Sequence, residues 1–481
     1  MSSALQPRHA VSGPSPLSAF DEIARYTPRL TISLLVAAAL AAGLLISVDA
    51  RLGLAAAGAA VFVAFLLADL PIAIGIWVVA LCLAGVPGTQ GAPTGTSVLL
   101  LAGWAGTLAN QGPRLRSASW SARGAFAATA ALMLWTTASY LWAGDPGAVV
   151  AAVKNWGIAV AALPVIVTAC RNERDVLVVA GAYVAGITLS VLVGLTSGSA
   201  SAPVGAIEAA EFSAGRLQVG ITDPNYLAAN IVASMVVIAG LLRVRLFQPV
   251  RPLLLLAVPV LLYGLIATQS RGGLLAALVA AVLTVILLPE FRTRVLAGVG
   301  AALGGIAVLL MLQPRALERL TQSDSSGTGR TDLWSAAWAV WQDAPVLGVG
   351  SGNFPIAKSA YADRIGYLER PEMVLDLPMV AHNVWLQALA EIGLVGLLLQ
   401  VAAIGACVAS SFVAARRFAR TDRVDLSFFA RALGIGQLAS LAASSFISNA
   451  GDRVFWVLLA LGPALLAVAA LRPGATPEGT R

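Results

Sequence analysis

Long apolar runs separated by short charged or Gly/Pro-rich breaks follow one another from residue 30 to residue 471. Each approaches the roughly 20 residues that a helix needs to cross a bilayer. Fourteen runs qualify, near 30–48, 52–69, 71–86, 96–110, 124–142, 149–169, 175–196, 223–242, 252–268, 272–289, 295–312, 382–413, 432–448 and 454–471. The second to fourth are short or glycine-rich. One pair there reads equally well as re-entrant, so twelve spans is the alternative to fourteen. The pattern predicts an all-α polytopic membrane protein with 12–14 transmembrane helices.

Two polar stretches interrupt the pattern. Residues 313–381 form a 69-residue loop with 14 charged side chains, six basic and eight acidic. A connection of that length is too long to be a simple link. Thr331 can cap a helix from Asp332 to Gln342, which places Trp334, Trp338 and Trp341 on one face. Such a stripe reads either as an interfacial helix lying on the bilayer or as a small helix packed on the spans. Pro345 ends the helix, and the run Gly348–Phe354 (GVGSGNF) follows. Because that run lacks a strand-to-helix context, a phosphate cradle is its lesser reading. The second polar stretch, 197–222, carries Glu208, Glu211 and Arg216.

Composition agrees with the span count. Hydrophobic residues make up 58% of the 481, charged residues only 11%, and mean hydropathy is +0.83. Soluble domains carry about 25% charged residues, so neither a water-facing surface nor a disordered chain fits. The net charge of +7 and pI near 9.8 are explained without nucleic acid. With the N-terminus inside, 20 arginines fall on the cytoplasmic side, and the short outer loops hold only four, Arg51, Arg216, Arg271 and Arg453. That bias predicts an N-in/C-in topology and puts the 313–381 loop on the outer face.

The organisation expected is a cytoplasmic tail (1–28), N-terminal spans (29–204), a catalytic core (205–415) that includes the outer loop, C-terminal spans (416–471) and a cytoplasmic tail (472–481). The first 28 residues lack an apolar stretch of the kind found in a cleavable signal. Cys82, Cys170 and Cys407 are far apart in sequence, and His9 and His382 are the two histidines. No metal site and no cofactor are expected.

Candidate chemistry falls on the exceptions to the charge rule. Arg271, in ATQSRGGLLA, lies between two spans, and the glycines after it permit close backbone approach. It reads as a cavity-lining arginine or as a snorkelling helix end. Arg216 lies just before a span that Thr222 or Asp223 can cap, with Pro224 in its first turn. Capping therefore accounts for Asp223 and Asn225 but leaves Arg216 unexplained. Two outer arginines suggest an anion site, since guanidinium matches phosphate bidentately. His382 opens the span after the loop. It is either structural or a neutral general base favoured by the helix N-terminus. Asn383 beside it would orient substrate or cap. Glu391, inside that span, is expected to bind an arginine, with Arg271 the candidate. Lys154 would assist the anion site or merely snorkel. Asp49 is the lone acid of the first outer loop, too few oxygens for a metal.

Four stretches in order carry a resemblance: GRLQVGITDPNYLAANI (215–231), SRGGLLAAL (270–278), GRTDLWSAAWAVWQDAPVLGVGSGNF (329–354) and AHNVWLQALAEIGLVGLLL (381–399). Over about 205–415 the chain resembles the O-antigen ligase and polysaccharide polymerase superfamily, membrane glycosyltransferases of the GT-C type. The resemblance implies metal-independent, inverting transfer of a glycan from an undecaprenyl-pyrophosphate donor to the hydroxyl of a glycan or lipid-linked acceptor. The reaction would take place at the outer face of the bacterial cytoplasmic membrane, with membrane lipids around the protein and no nucleic acid as partner. It implies that Arg216 and Arg271 hold the pyrophosphate and that His382 deprotonates the acceptor. Arg330 and Arg364 are further loop arginines left unranked, and Arg453 is left without a role. A repeat-unit polymerase of the same superfamily is the alternative. From another class, a polysaccharide or lipid-carrier transporter is a further one, although no internal repeat supports it.

Overall fold

The computed structural model describes residues 50–84, 86, 92–108, 120–197, 216–217, 223–298, 300 and 329–470. Outside them lie both tails, the 30–48 run, most of 295–312, the start of the outer loop, Asp49, Glu208 and Glu211. The described residues are all helical and contain no strand. They divide into two compact units, Met1–Ala73 and Ile74–Arg481. In the first, α1 (Ala50–Ala68) leads into α2 (Leu70–Cys82), whose start is capped by Asp69 accepting the Ile72 N–H at 3.3 Å.

The second unit continues α2 and adds α3 (Ala92–Leu108), α4 (Arg123–Ala138), α5 (Pro146–Val160), α6 (Ala162–Ala169) and α7 (Glu173–Ser197). Then come α8 (Pro224–Leu241), α9 (Arg251–Ala267), α10 (Arg271–Leu287), α11 (Arg330–Asp343), α12 (Val384–Ala419), α13 (Val424–Ala443) and α14 (Arg453–Ala470). Six helical stretches are long and apolar enough to cross a membrane: Pro146–Ala169, Glu173–Thr196, Pro224–Leu241, Val384–Ala419, Val424–Phe446 and Arg453–Ala470. A seventh is possible if α10 and Pro289–Gly298, bent by 114°, form one span. The protein is thus a multi-pass membrane protein. Among the described residues fewer helices reach spanning length than the fourteen runs suggested, because α9 and α10 have only 17 residues each and α4 only 16.

Helix α14 sits at the centre, with every residue from Val454 to Val468 buried. Such all-round burial is what a helix without a polar face requires. Small residues let its neighbours approach: a Cβ on Gly462 would strike the Cys407 carbonyl of α12, and one on Gly240 of α8 would strike Phe429 of α13. Polar side chains add bonds between the helices. Gln437 accepts from Ser411 Oγ at 2.8 Å and donates to the Leu458 carbonyl at 2.9 Å, tying α13 to α12 and α14.

The two ends of the bundle differ. At one end α9 begins, α8 and α10 terminate, and arginines gather: Arg423 pairs with Glu173 at 2.8 Å, and Arg431 donates to the Leu287 carbonyl at 3.1 Å. At the other end begin α5, α8, α10, α12 and α14, together with residues 329–383. This loop end has its own small core, in which Leu333, Ala336, Ala337 and Val340 of α11 meet Phe354, Met373, Val374 and Ala390.

Helix α11 begins at Arg330, two residues earlier than Thr331 capping would allow. Gly329 stands before it at φ 64°, with no side-chain cap, and Thr331 lies exposed inside the helix. A Cβ on Gly329 would strike Met373 Sδ, so glycine starts the helix for steric reasons. The tryptophan stripe is divided. Trp338 is 47% exposed, its ring 4.6 Å from that of Trp341, while Trp334 packs 6.0 Å from Phe446. Trp334 therefore packs on the end of a span, whereas Trp338 lies on the exposed side of α11.

Candidate active site at the loop end

The turn between α9 and α10 builds the first wall. Gln269 is held at φ 49°, Ser270 caps α10 by accepting the Gly273 N–H at 3.0 Å, and Arg271 becomes the first helical residue. A left-handed glutamine is uncommon, and such strain concentrates at functional sites. The two glycines act as the sequence suggested. A Cβ on Gly273 would collide with Ala228 of α8, and one on Gly272 would meet Phe446 Cβ at 3.3 Å. Arg271 itself is exposed, and among the described residues it makes no hydrogen bond or ion pair.

Arg216 is fastened to that wall. Its Nε donates to the Thr268 carbonyl at 2.9 Å and its Nη2 to Asn225 Oδ1 at 3.1 Å, and Leu217 N–H reaches the Ala267 carbonyl at 2.9 Å. Asn225 is more than part of a cap. Its Oδ1 also accepts from Ser270 Oγ at 2.8 Å, and its Nδ2 donates to Asp223 Oδ1 at 2.9 Å. Asp223 caps α8 through the Asn225 N–H at 2.6 Å. One buried amide thus joins the arginine, the start of α8 and the start of α10.

Arg330, at the start of α11, belongs to the same group. Burial lowers its pKa, Asp223 opposes that, and the like charges of Arg216 and Arg271 lower it further. For Arg216 burial is again the main lowering influence and Asp223 the opposing one. Guanidinium stays protonated across the physiological range, so Arg330 has two cations, Arg216 and Arg271, and one carboxylate, Asp223, within electrostatic reach. The sequence left Arg330 and Arg364 unranked. Arg330 stands in the group, whereas Arg364 is exposed and paired with Asp343. The signal for Arg330 was its place directly after Gly329, in GRTD.

His382 completes the group. Its pKa lies below the usual 6.5, chiefly through burial; Asp223 raises it and Arg330 lowers it. The ring therefore lies within electrostatic reach of both and is neutral at pH 7. His382 stands at φ 48°, one residue ahead of the cap of α12. Asn383 is that cap, accepting the Trp385 and Leu386 N–H groups at 3.0 and 3.1 Å. Of its two expected roles, capping is the one its side chain fills.

Glu391 is not the arginine's partner. Its Oε2 accepts the Gly352 N–H at 2.8 Å and its Oε1 accepts from Gln387 Nε2 at 3.1 Å. It stands beside a break in α12, where Gly393 adopts φ 66° and ψ −170°. The break frees three carbonyls, and each finds a donor: Ala390 takes the Val349 N–H at 3.0 Å, Glu391 the Gly350 N–H at 2.8 Å, and Ile392 the Trp135 Nε1–H at 2.9 Å. Within a bilayer such compensation is obligatory. The GVGSGNF run spends its own N–H groups on the protein, including Gly348 on the Ala344 carbonyl and Ser351 on Ser139 Oγ. It is a strut, with no N–H left to cradle a phosphate. Lys154 lies on the exposed side of α5, and among the described residues it makes no hydrogen bond or ion pair. No group of three or more His, Cys, Asp or Glu side chains able to hold a metal occurs among the described residues.

The elements that carry Arg271, Arg330, His382 and the break at Gly393 fall in one stretch of sequence, and residues 255–401 match the O-antigen ligase family. The chain is similar to O-antigen ligases. Over 195 residues it is 28% identical to an O-antigen ligase of Salmonella typhimurium, an alignment covering 38% of this chain and 47% of that protein. The chain thus spans about half the length of this curated relative. The ligase-like stretch is narrower than the 205–415 resemblance and begins after the Arg216 motif, so Arg216 joins the group by its bonds to Thr268 and Asn225.

Proposed function

We propose that this protein transfers a glycan from an undecaprenyl-pyrophosphate carrier to an acceptor hydroxyl, with the loop end facing outward across the cytoplasmic membrane. The observation that carries the reading is that Arg330 lies within electrostatic reach of Arg216, Arg271 and Asp223, and His382 within reach of Arg330 and Asp223, while Arg216 is held by Asn225 at the start of α8. Three arginines beside one carboxylate leave a net positive site suited to a pyrophosphate. The neutral His382 ring accepts the acceptor's proton as its oxygen attacks the anomeric carbon. The bond from that carbon to the pyrophosphate oxygen breaks, and the arginines stabilise the departing anion. The sequence of steps needs no metal and inverts the anomeric centre. The arginine-rich opposite end supports an N-in/C-in orientation.

A transporter would use a broken span to coordinate its cargo. Here the carbonyls freed at Gly393 are already bonded to Val349, Gly350 and Trp135, which favours the enzyme. The test is transfer by purified protein supplied with an undecaprenyl-pyrophosphate-linked glycan and an acceptor. Arg271→Ala should lower kcat by roughly 10²–10³, the usual effect of removing one donor to a developing anion, and His382→Ala should abolish turnover. Full activity in both variants would overturn the reading. In cells, loss of a ligase leaves long lipid-linked chains, whereas loss of a polymerase leaves single repeats.

A further inference from the structure

A cavity of about 680 Å³ opens at the loop end, walled by the starts of α5, α8 and α14. Its size falls within the ~300–1,000 Å³ typical of small-ligand sites. Trp156 and Tyr226 give it two aromatic walls, Asn155, Asp452 and Arg453 give it polar groups, and Ala152 leaves room along the α5 side. The segment between α13 and α14 is fixed: Tyr226 Oη donates to the Ser448 carbonyl at 2.5 Å and Trp456 Nε1 to that of Ala450 at 2.6 Å. Asp452 caps α14 through the Phe455 N–H at 2.7 Å. Among the described residues, neither Asp452 nor Arg453 has an ion-pair partner within 4 Å.

We propose that this cavity is a glycan subsite, in which sugar rings of a substrate lie against Trp156 and Tyr226 while their hydroxyls reach Asn155, Asp452 and Arg453. The choice of occupant rests on the transferase reading above. Sugars are amphipathic: their C–H faces pack on aromatic rings, and their hydroxyls pair with carboxylate, amide and guanidinium groups. The cavity offers both kinds of partner at once, and a purely apolar lipid tail would leave the Arg453 guanidinium unmatched. It also adjoins the arginine group. Tyr226 directly follows Asn225, the residue that holds Arg216, and Gly352, on the cavity wall, donates to Glu391. Arg453, an outer arginine without an assigned role, gains one here.

The experiment has two arms. In the first, KM and kcat are measured separately for donor and acceptor in wild type, Trp156→Ala, Trp156→Phe and Arg453→Gln. Trp156→Ala should raise KM for one substrate roughly tenfold, the loss of about one aromatic stacking contact, with kcat held within about twofold. Trp156→Phe should recover most of it, and the substrate affected says whether the glycan is the donor's or the acceptor's. In the second arm, His382→Ala protein is titrated calorimetrically with oligosaccharide released by mild acid from the host's own surface glycan. Binding is expected, and it should be lost when Trp156→Ala is added. Arg453→Gln serves as the second variant should Trp156→Ala fail to fold. Unchanged KM values together with unchanged binding would overturn the subsite while leaving the transferase intact. Oligosaccharide binding that depends on Trp156, in a protein that transfers nothing, would keep the subsite and overturn the transferase.

Discussion

The Glu391 side chain accepts the Gly352 N–H at 2.8 Å, so a carboxyl group inside a span fastens a loop outside it. The loop it fastens also returns to α4 and α5, through Ser139 and the reciprocal bonds of Asn353 with Asp145 at 2.8 and 3.1 Å. A buried donor left without its acceptor costs about 1–3 kcal/mol. Glu391→Ala should therefore lower the melting temperature in detergent and expose residues 348–353 to protease. Glu391→Gln, which keeps an acceptor at that place, should recover most of the loss. A Glu391→Ala protein that melts with wild type would show that the bond is not a strut.

Gly393 gives a second stability test. Its φ of 66° is unfavourable for any residue with a Cβ, and an added Cβ would collide with the Val346 carbonyl. Strained backbone alone costs about 1–3 kcal/mol, and the collision adds to it. Gly393→Ala should destabilise the fold more than Gly405→Ala, since nothing lies within 4 Å of a Cβ on Gly405 in the same helix. Equal melting temperatures for the two variants would argue that the break is not required.

Apolar runs and ordered motifs made the membrane class and the close packing at Gly272 and Gly273 legible in the sequence, and they singled out Arg271 and His382 as candidates. What stayed hidden depends on partners far away in the chain. Asn225 reads as part of a cap because Asp223 lies two residues before it, whereas Arg216 and Ser270 lie nine and 45 residues off. Glu391 was given to Arg271 because arginine is the obvious partner for an intramembrane acid. The group it holds is the backbone N–H of Gly352, and backbone groups leave no mark in a sequence. The break at Gly393 is invisible for a related reason. A glycine in an apolar run fits a continuous helix, and only the Val346–Gly350 segment pressed against it shows why the helix parts.

Asn225 predicts a shared failure. Its removal takes away an acceptor for Arg216 Nη2 and for Ser270 Oγ in one step. Asn225→Ala should therefore lower kcat/KM by about 10²-fold or more, comparable to loss of one transition-state donor, with a smaller fall in stability. Arg216→Lys should do likewise, because a lysine cannot bridge the Thr268 carbonyl and Asn225 Oδ1 together. Near-wild-type transfer by Arg216→Lys would reduce Arg216 to a point charge.

Lys358 is 1% exposed, and its Nζ donates to the Val374 and Leu377 carbonyls at 2.7 and 2.6 Å. It closes the small core of the 329–383 segment rather than facing solvent. Lys358→Met keeps the length and strands two carbonyls, each costing about 1–3 kcal/mol when buried and unpaired. The expected result is faster hydrogen exchange across residues 354–377, with the spans unaffected. Unchanged protection there would mean that the apolar core holds the loop alone.

The pH dependence of transfer tests the base directly. His382 must be neutral to accept a proton, and burial holds its pKa below 6.5. Activity should therefore be level from neutral pH upward and fall as the pH drops through that lowered value. Two neighbours act in opposite senses: Arg330 lowers the pKa and Asp223 raises it. Arg330→Gln removes the cation and should move the acid limb of kcat/KM to higher pH. Asp223→Asn removes the carboxylate charge while keeping an acceptor for the cap, and should move the same limb to lower pH. Each profile is read relative to its own plateau, so a general loss of activity does not obscure the shift. Opposite displacements are the signature of one group titrating between these two charges. Displacements in the same direction, or none in either variant, would assign the acid limb to a group other than His382.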